Sequence, residues 1–359
     1  MTALRAHHRG GPEALIVEAA LVPVPAAGEV LVAVHAAAIT FDELTWEETW
    51  TRNGVSRTPV ILSHEFSGVV ADIATGVTDF RPGDQVYGLI RFDRDGAAAD
   101  YVAVPAADVA AKPSTVSHIV AAALPLAGLT ALQALVDHGA VRAEQQVLVT
   151  GGGGGVGALT VQLAHILGAE VAATIRSDAR ELVHGFGARR VIDVRTEAFD
   201  EEGASYDVVI DTVGGETLDR SFSVLRRGGR LVTLSAPPPA GRAHEYAVTQ
   251  CFLWSRPIVT NSRSLPPLST PVNSTCRSRR PFRWPKAEKH LKAVSGPIAD
   301  PARPSSSFGS ERAARRRSVP DSLSSRPFTC RRSLVHLPVP AWVSLSRARH
   351  NSWRRRGFH

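Results

Sequence analysis

Between residues 145 and 150 apolar, β-branched positions dominate (QQVLVT), and the run stops abruptly at five glycines and a Val-Gly pair, residues 151–157. Apolar residues resume at helical spacing over 158–167 (ALTVQLAHIL), so the pattern predicts strand, glycine turn, helix. The alternation continues downstream. Residues 170–175, 190–194, 206–211 and 230–235 read as strands, with helices over 178–186 and around 216–225. Strands alternating with helices predict a doubly wound parallel sheet, an α/β fold. The N-terminal third has a different rhythm. EVLVAV at 29–34, PVILSHEFSGVVAD at 59–72 and GVTDFRPGDQVYG at 76–88 are short apolar runs broken by turn residues such as Pro82-Gly83-Asp84. They predict a compact, mostly β first domain. The longest apolar run, 119–136, carries Pro125, Gly128, Thr130 and Gln133; it reads as a buried interdomain helix and not as a membrane span.

Gly152, Gly154 and Gly157 satisfy G-x-G-x-x-G. Such glycines serve a tight turn, close backbone approach to a pyrophosphate, and close helix–strand packing. The following helix N-terminus offers free N–H groups and a positive dipole end. A flexible loop is the other reading of a glycine run, and the flanking strand and helix favour a dinucleotide site.

Length and composition then divide the chain. With 359 residues and 44% hydrophobic composition it can bury two domain cores. The opening MTALRAHHRGG lacks the apolar stretch of a secretory signal, which points to a cytoplasmic location. The net charge of +7 is unevenly spread: residues 1–250 carry 19 Lys+Arg against 30 Asp+Glu, whereas 251–359 carry 22 against 4. The basicity therefore belongs to the tail, and nucleic-acid binding by the first 250 residues is not indicated. Cys251, Cys276 and Cys330 also lie beyond residue 250, so no disulfide framework is implied.

The run HEFSGVVADIATGVTDFRPGDQVYG (64–88) resembles the GroES-like domain of the medium-chain dehydrogenase/reductase superfamily. AAADYVAV (97–104) followed by LPLAGLTALQAL (124–135) resembles its quinone oxidoreductase branch. The glycine turn of that branch usually reads AAGGVG; Gly154, Gly155, Val156 and Gly157 match, and Gly152 and Gly153 replace the alanines. The resemblance implies a GroES-like catalytic domain over 1–124, a Rossmann nucleotide-binding domain over 125–250, a cofactor cleft between them and a homodimer. It also implies that Thr130 lies near the nicotinamide, where a helix-start hydroxyl is the alternative role.

The residues themselves bear on cofactor and chemistry. At the end of the second strand stand Thr174, Ile175, Arg176 and Ser177, without the acid that would hold NAD ribose hydroxyls. Arg176, Ser177 and Arg180 suit a 2′-phosphate, which favours NADPH; a solvated surface charge is the alternative for either arginine. Related sequences often have Tyr where Val194 stands. Zinc-dependent relatives use a cysteine after the first strand and a His-Glu pair; His64-Glu65 is present, but positions 39 and 40 are Ile and Thr. Catalytic zinc needs three protein ligands, so no metal is expected and His64 reads as structural. Without a Lewis acid an alkoxide would be unsupported. An enone or quinone instead delocalises the charge that hydride brings, and the protein need only position the partners and exclude water. The resemblance thus implies NADPH-dependent reduction of quinones or α,β-unsaturated carbonyls. Thr40, Asp42, Trp46 and Trp50 are candidates for the substrate side, with core packing the alternative for both tryptophans. No general acid is identified. The rivals are a zinc-type alcohol dehydrogenase and a non-catalytic NADPH-binding protein with a basic interaction tail.

Beyond residue 250 the chain has no sustained hydrophobic period, as in NSTCRSRRPFRWP and PARPSSSFGSERAARRRSVP. One reading is an irregular or disordered basic tail that binds nucleic acid or membrane. The sharper reading is a shifted frame. Taking the third base of each codon with the first two of the next, residues 272–291 permit ELDVPVAQTFPLAEGREAF and 297–308 permit HRRPGKTVLVV, with a TGA stop permitted across Ser310 and Glu311. These resemble the C-terminal segment of the quinone oxidoreductase branch and place a frameshift between about Val248 and Trp254.

Overall fold

In a computed structural model of the chain, residues 1–38, 43–201 and 203–253 are described. The irregular tail expected beyond residue 250 lies, from Trp254 onward, outside the described residues.

Alternation in the N-terminal third produces antiparallel sheets. Val30 and Val32 point to one side of their strand and are wholly buried against Phe66, Val70, Val86, Val102 and Val104. The elements are β1 (Thr2–Ala6), β2 (Leu15–Ala19), β3 (Glu29–Ala38), α1 (Glu47–Trp50), β4 (Thr51–Arg52), β5 (Val55–Ser56), β6 (Val60–Ile61), β7 (Glu65–Ile73), β8 (Gln85–Leu89), β9 (Tyr101–Pro105) and β10 (Val109–Ala111). They form sheets of order β2-β1-β6 and β10-β8-β7-β3-β9, with β4-β5 as a separate hairpin.

The apolar run at 119–136 is not one helix. It divides into α2 (His118–Ala122), α3 (Pro125–Leu132) and a wide π-type turn, Gln133–His138. Pro125 has no N–H to donate back into a preceding turn, so it opens a new helix at its first position. The interdomain placement is as expected. Leu124, Leu129, Leu132 and Leu135 are buried in one cluster with Tyr87 and Leu89 of the first domain and Val147, Val149 and Val208 of the second.

The second domain comprises β11 (Gln146–Thr150), α4 (Gly155–Ile166), β12 (Glu170–Ile175), α5 (Arg180–Gly185), β13 (Arg190–Asp193), β14 (Tyr206–Asp211), α6 (Gly215–Ser221), β15 (Leu225–Thr233), α7 (Arg242–Glu245) and β16 (Thr249–Phe252). All six strands are parallel in the order β13-β12-β11-β14-β15-β16. The order reverses between β11 and β14, the point where doubly wound sheets open a crevice for ligands. β15 starts earlier than its sequence pattern suggests, and β16 was absent from that pattern. Its four residues pair with Arg230–Thr233 and bury Cys251. Among the described residues no helix is long and apolar enough to cross a membrane.

Candidate functional site

The chain leaves β11 through Gly151, at φ +74°. A β-carbon there would lie 2.6 Å from the Thr212 hydroxyl, so both conformation and space require glycine. At Gly157 a β-carbon would stand 2.1 Å from the Gly151 carbonyl oxygen, and its absence lets α4 begin directly over the turn. Gly152 is closed in by Ala173 of β12, 2.7 Å from where a β-carbon would be. The outer side of the turn is different. Gly154 and Gly155 are exposed, and a β-carbon on Gly155 would meet nothing within 4 Å. Gly154 caps α4 without a side-chain hydrogen bond, which leaves the first-turn N–H groups open to an incoming anion. Val156 turns inward and packs on the interdomain cluster.

The exit from β12 brings Arg176 and Ser177 to this turn. The Ser177 hydroxyl lies 3.7 Å from the β-carbon position of Gly153. Arg176 is exposed and, among the described residues, makes no ion pair or hydrogen bond. Arg180 is committed elsewhere: Nη1 donates to the Val191 carbonyl at 2.5 Å and Nη2 to Glu197 at 2.8 Å. Val194 is half exposed beside them, its N–H donating to the Ile175 carbonyl at 3.0 Å.

A network not anticipated from the sequence fixes the other lip of the crevice. Asp211, at the end of β14, is fully buried and accepts from the hydroxyls of Thr150 (2.7 Å) and Thr233 (2.9 Å) and from the N–H of Gly214 (3.1 Å). Thr212 in turn donates its hydroxyl to the Thr150 carbonyl at 2.7 Å. One carboxylate therefore joins the ends of β11, β14 and β15. An acid closing an apolar strand was the available signal, but its partners lie 22 and 61 residues away.

Of the substrate-side candidates, Thr40 and Asp42 lie outside the described residues. Trp50 is core: it is buried with Ala6, Val60 and Leu62, and its indole N–H donates to the Leu44 carbonyl at 2.9 Å. Trp46 is half-buried and packs on Phe92, with ring centroids 4.7 Å apart; Phe92 meets His64 edge-on at 5.2 Å. Thr130 is buried in α3, where its hydroxyl donates to the Leu126 carbonyl at 2.7 Å. That is a mid-helix bond, not a helix-start one. The depression of about 960 Å³ that contains Arg5, Leu21, Arg57 and Tyr101 lies on the first domain and includes none of the glycine-turn residues.

The His-Glu pair has separate tasks. His64 contacts Glu43 through Nδ1 (2.5 Å) and donates from Nε2 to the Arg94 carbonyl (3.2 Å), so both ring nitrogens are engaged. Glu65 points to the neighbouring domain and accepts from the Leu126 N–H at 2.8 Å. Its burial pushes the carboxyl pKa up to about 8, opposed by that N–H and reinforced by Glu43. Among the described residues no three metal-ligating side chains converge.

Residues 26–114 match the alcohol dehydrogenase GroES-like domain family, and 155–267 match the zinc-binding dehydrogenase family. An alcohol dehydrogenase superfamily protein from Novosphingobium aromaticivorans is similar in structure, with a TM-score of 0.64 and 32% identity over 71% of this chain and 79% of that one. The chain belongs to the medium-chain dehydrogenase/reductase superfamily. Within that superfamily it falls in the quinone oxidoreductase-like branch. The quinone oxidoreductase of Coxiella burnetii superposes with a TM-score of 0.63 at 30% identity, covering 71% of this chain and 83% of that one. The chloroplastic NADPH-dependent alkenal/one oxidoreductase of Arabidopsis thaliana is 34% identical over 65% of this chain and 62% of its own length. The 2-methylene-furan-3-one reductase of Solanum lycopersicum is 38% identical over 51% and 49%. The chain thus spans about half to three-fifths of the length of these curated relatives.

Proposed function

We propose that this medium-chain dehydrogenase/reductase chain binds NADPH and reduces quinones or α,β-unsaturated carbonyls without a catalytic metal. The observation that carries the reading is Arg176: a guanidinium that makes no ion pair among the described residues, beside Ser177, at the end of the second strand and next to an open glycine cradle. Guanidinium geometry matches a phosphate, and the place where NAD-preferring sites put an acid holds none. Similar proteins whose names specify NADPH and alkenal or enone chemistry support it.

Bound there, NADPH supplies hydride to an electron-poor carbon. The chain's own part is to hold and exclude. The free N–H groups at the start of α4 receive the pyrophosphate, with Gly155 leaving room for it. Arg176 and Ser177 receive the 2′-phosphate. Trp46, packed on Phe92 with ring centroids 4.7 Å apart, is the aromatic candidate for the substrate side, where a flat conjugated substrate would find an apolar surface that sheds water. Solvent protonates the enolate. The donor set supports a metal-free reaction: there is no cysteine before residue 251, and both His64 nitrogens are engaged. Assembly as a homodimer belongs to the same reading, with β16 the edge strand of the parallel sheet among the described residues. So does the frameshift near codon 250, which sequencing of codons 240–315 on both strands would reveal as one gained or lost base.

Fluorescence titration with NADPH and NADH, followed by an enone-reduction assay, tests the function. NADPH should bind about tenfold or more tightly than NADH; a preference for NADH refutes the cofactor assignment. Stoichiometric catalytic zinc in the purified protein would refute the metal-free one.

A further inference from the structure

Two carboxylates stand at the rim of the region assigned to the 2′-phosphate. Asp178 lies two residues beyond Arg176, its side chain 93% exposed. Asp193 ends β13 in register with Ile175 of β12, so its strand ends beside the residue from which the 176–178 segment departs. Left alone, these anions would repel a dianionic phosphate and favour the unphosphorylated ribose. They are not left alone. Arg195 donates Nε to both oxygens of Asp193, at 3.0 and 3.1 Å, and Nη2 to Asp193 at 2.6 Å and to Asp178 at 2.8 Å. Its own N–H also donates to Asp193, at 3.1 Å. One guanidinium thereby gathers both acids, while Arg180 is held by Glu197 and Arg176 makes no ion pair among the described residues.

We propose that Arg195 is a specificity-determining residue for the nucleotide: by ion-pairing Asp178 and Asp193 it screens them from the 2′-phosphate and leaves Arg176 to receive it. The inference rests on the NADPH reading above and assigns Arg195 no contact with the cofactor. It acts through the charge and placement of its two partners. Arg195 belongs to no recognisable motif, and its role is visible only from the side chains it brings together.

The test is a binding experiment and needs no turnover. Dissociation constants are measured for NADPH, NADH and 2′,5′-ADP with the full chain and with the Arg195→Gln, Arg195→Gln/Asp178→Asn and Asp178→Asn variants. Arg195→Gln should weaken NADPH and 2′,5′-ADP by about tenfold and change NADH by about twofold or less. Adding Asp178→Asn should restore part of the loss, since Asp193 stays without its guanidinium. Equal losses for NADPH and NADH would reduce Arg195 to a structural clamp and overturn the proposal. Failure of the double variant to recover would overturn screening in favour of direct phosphate contact. If Arg195→Gln does not fold, Asp178→Asn decides alone: NADPH should tighten about threefold with NADH unchanged, and no tightening overturns the proposal. The unsubstituted chain reports separately on the underlying reading, since a preference for NADH there removes the cofactor assignment whatever the variants do.

Discussion

Replacing Glu65 by Gln should stabilise the protein, and the gain should grow with pH. Glu65 opens β7 and is buried between the domains, where its Oε1 accepts from the N–H of Leu126 in the first turn of α3. Burial raises its pKa from 4.5 to about 8. The folded state therefore holds the proton more tightly than the unfolded chain does. This contribution to stability is complete below pH 4.5 and is lost as pH rises through about 8. A shift from 4.5 to about 8, at about 1.4 kcal/mol per unit, makes the full swing roughly 5 kcal/mol, with roughly 3 kcal/mol developed by pH 7. Glutamine keeps a carbonyl oxygen for Leu126 and cannot ionise. Urea unfolding of both proteins at pH 5, 6, 7 and 8 checks the reasoning: the curves should nearly coincide at pH 5 and separate by roughly 3 kcal/mol or more at pH 8. Parallel pH profiles would show that Glu65 does not carry its proton into the folded state and would refute the argument.

Two further substitutions probe the crevice. Gly157→Ala sets a methyl group 2.1 Å from the Gly151 carbonyl oxygen, so the turn must open; nucleotide binding by titration should fall at least about a hundredfold, and an unchanged affinity would mean the turn relaxes freely. Asp211→Ala strips the acceptor from two hydroxyls and the Gly214 N–H in a fully buried setting. It should destabilise the fold by roughly 3–5 kcal/mol in urea unfolding, with Asp211→Asn losing less.

The parts of this molecule legible in the sequence are those whose cause is local. The β11–turn–α4 unit shows itself because an apolar strand, the glycines and the helical period adjoin. Even there, the motif spacing named Gly152, Gly154 and Gly157, whereas a positive φ singles out Gly151 and leaves Gly154 and Gly155 as open surface. Pro125 marked a helix start in plain sight, but the uniform apolar run around it hid the break between α2 and α3. β16 was invisible because four residues carry no period, and only pairing with β15 makes them a strand. The long-range polar groups were the least legible. Asp211 with Thr150, Glu43 with His64, and Glu65 with Leu126 are separated by 61, 21 and 61 residues. Arg195 and Asp193 are close in sequence, yet Asp178, which gives the pair its meaning, is 17 residues from Arg195.

The cluster around α3 makes the two sheets one cooperative unit. Tyr87 and Leu89 of the antiparallel sheet and Val147 and Val149 of the parallel sheet bury the same leucines, so neither half can melt without exposing apolar surface of the other. A calorimetric scan would then approach a single transition despite two architectures. Occupation of the parallel sheet would slow amide hydrogen exchange in strands of the antiparallel one, since both draw on the same opening equilibrium.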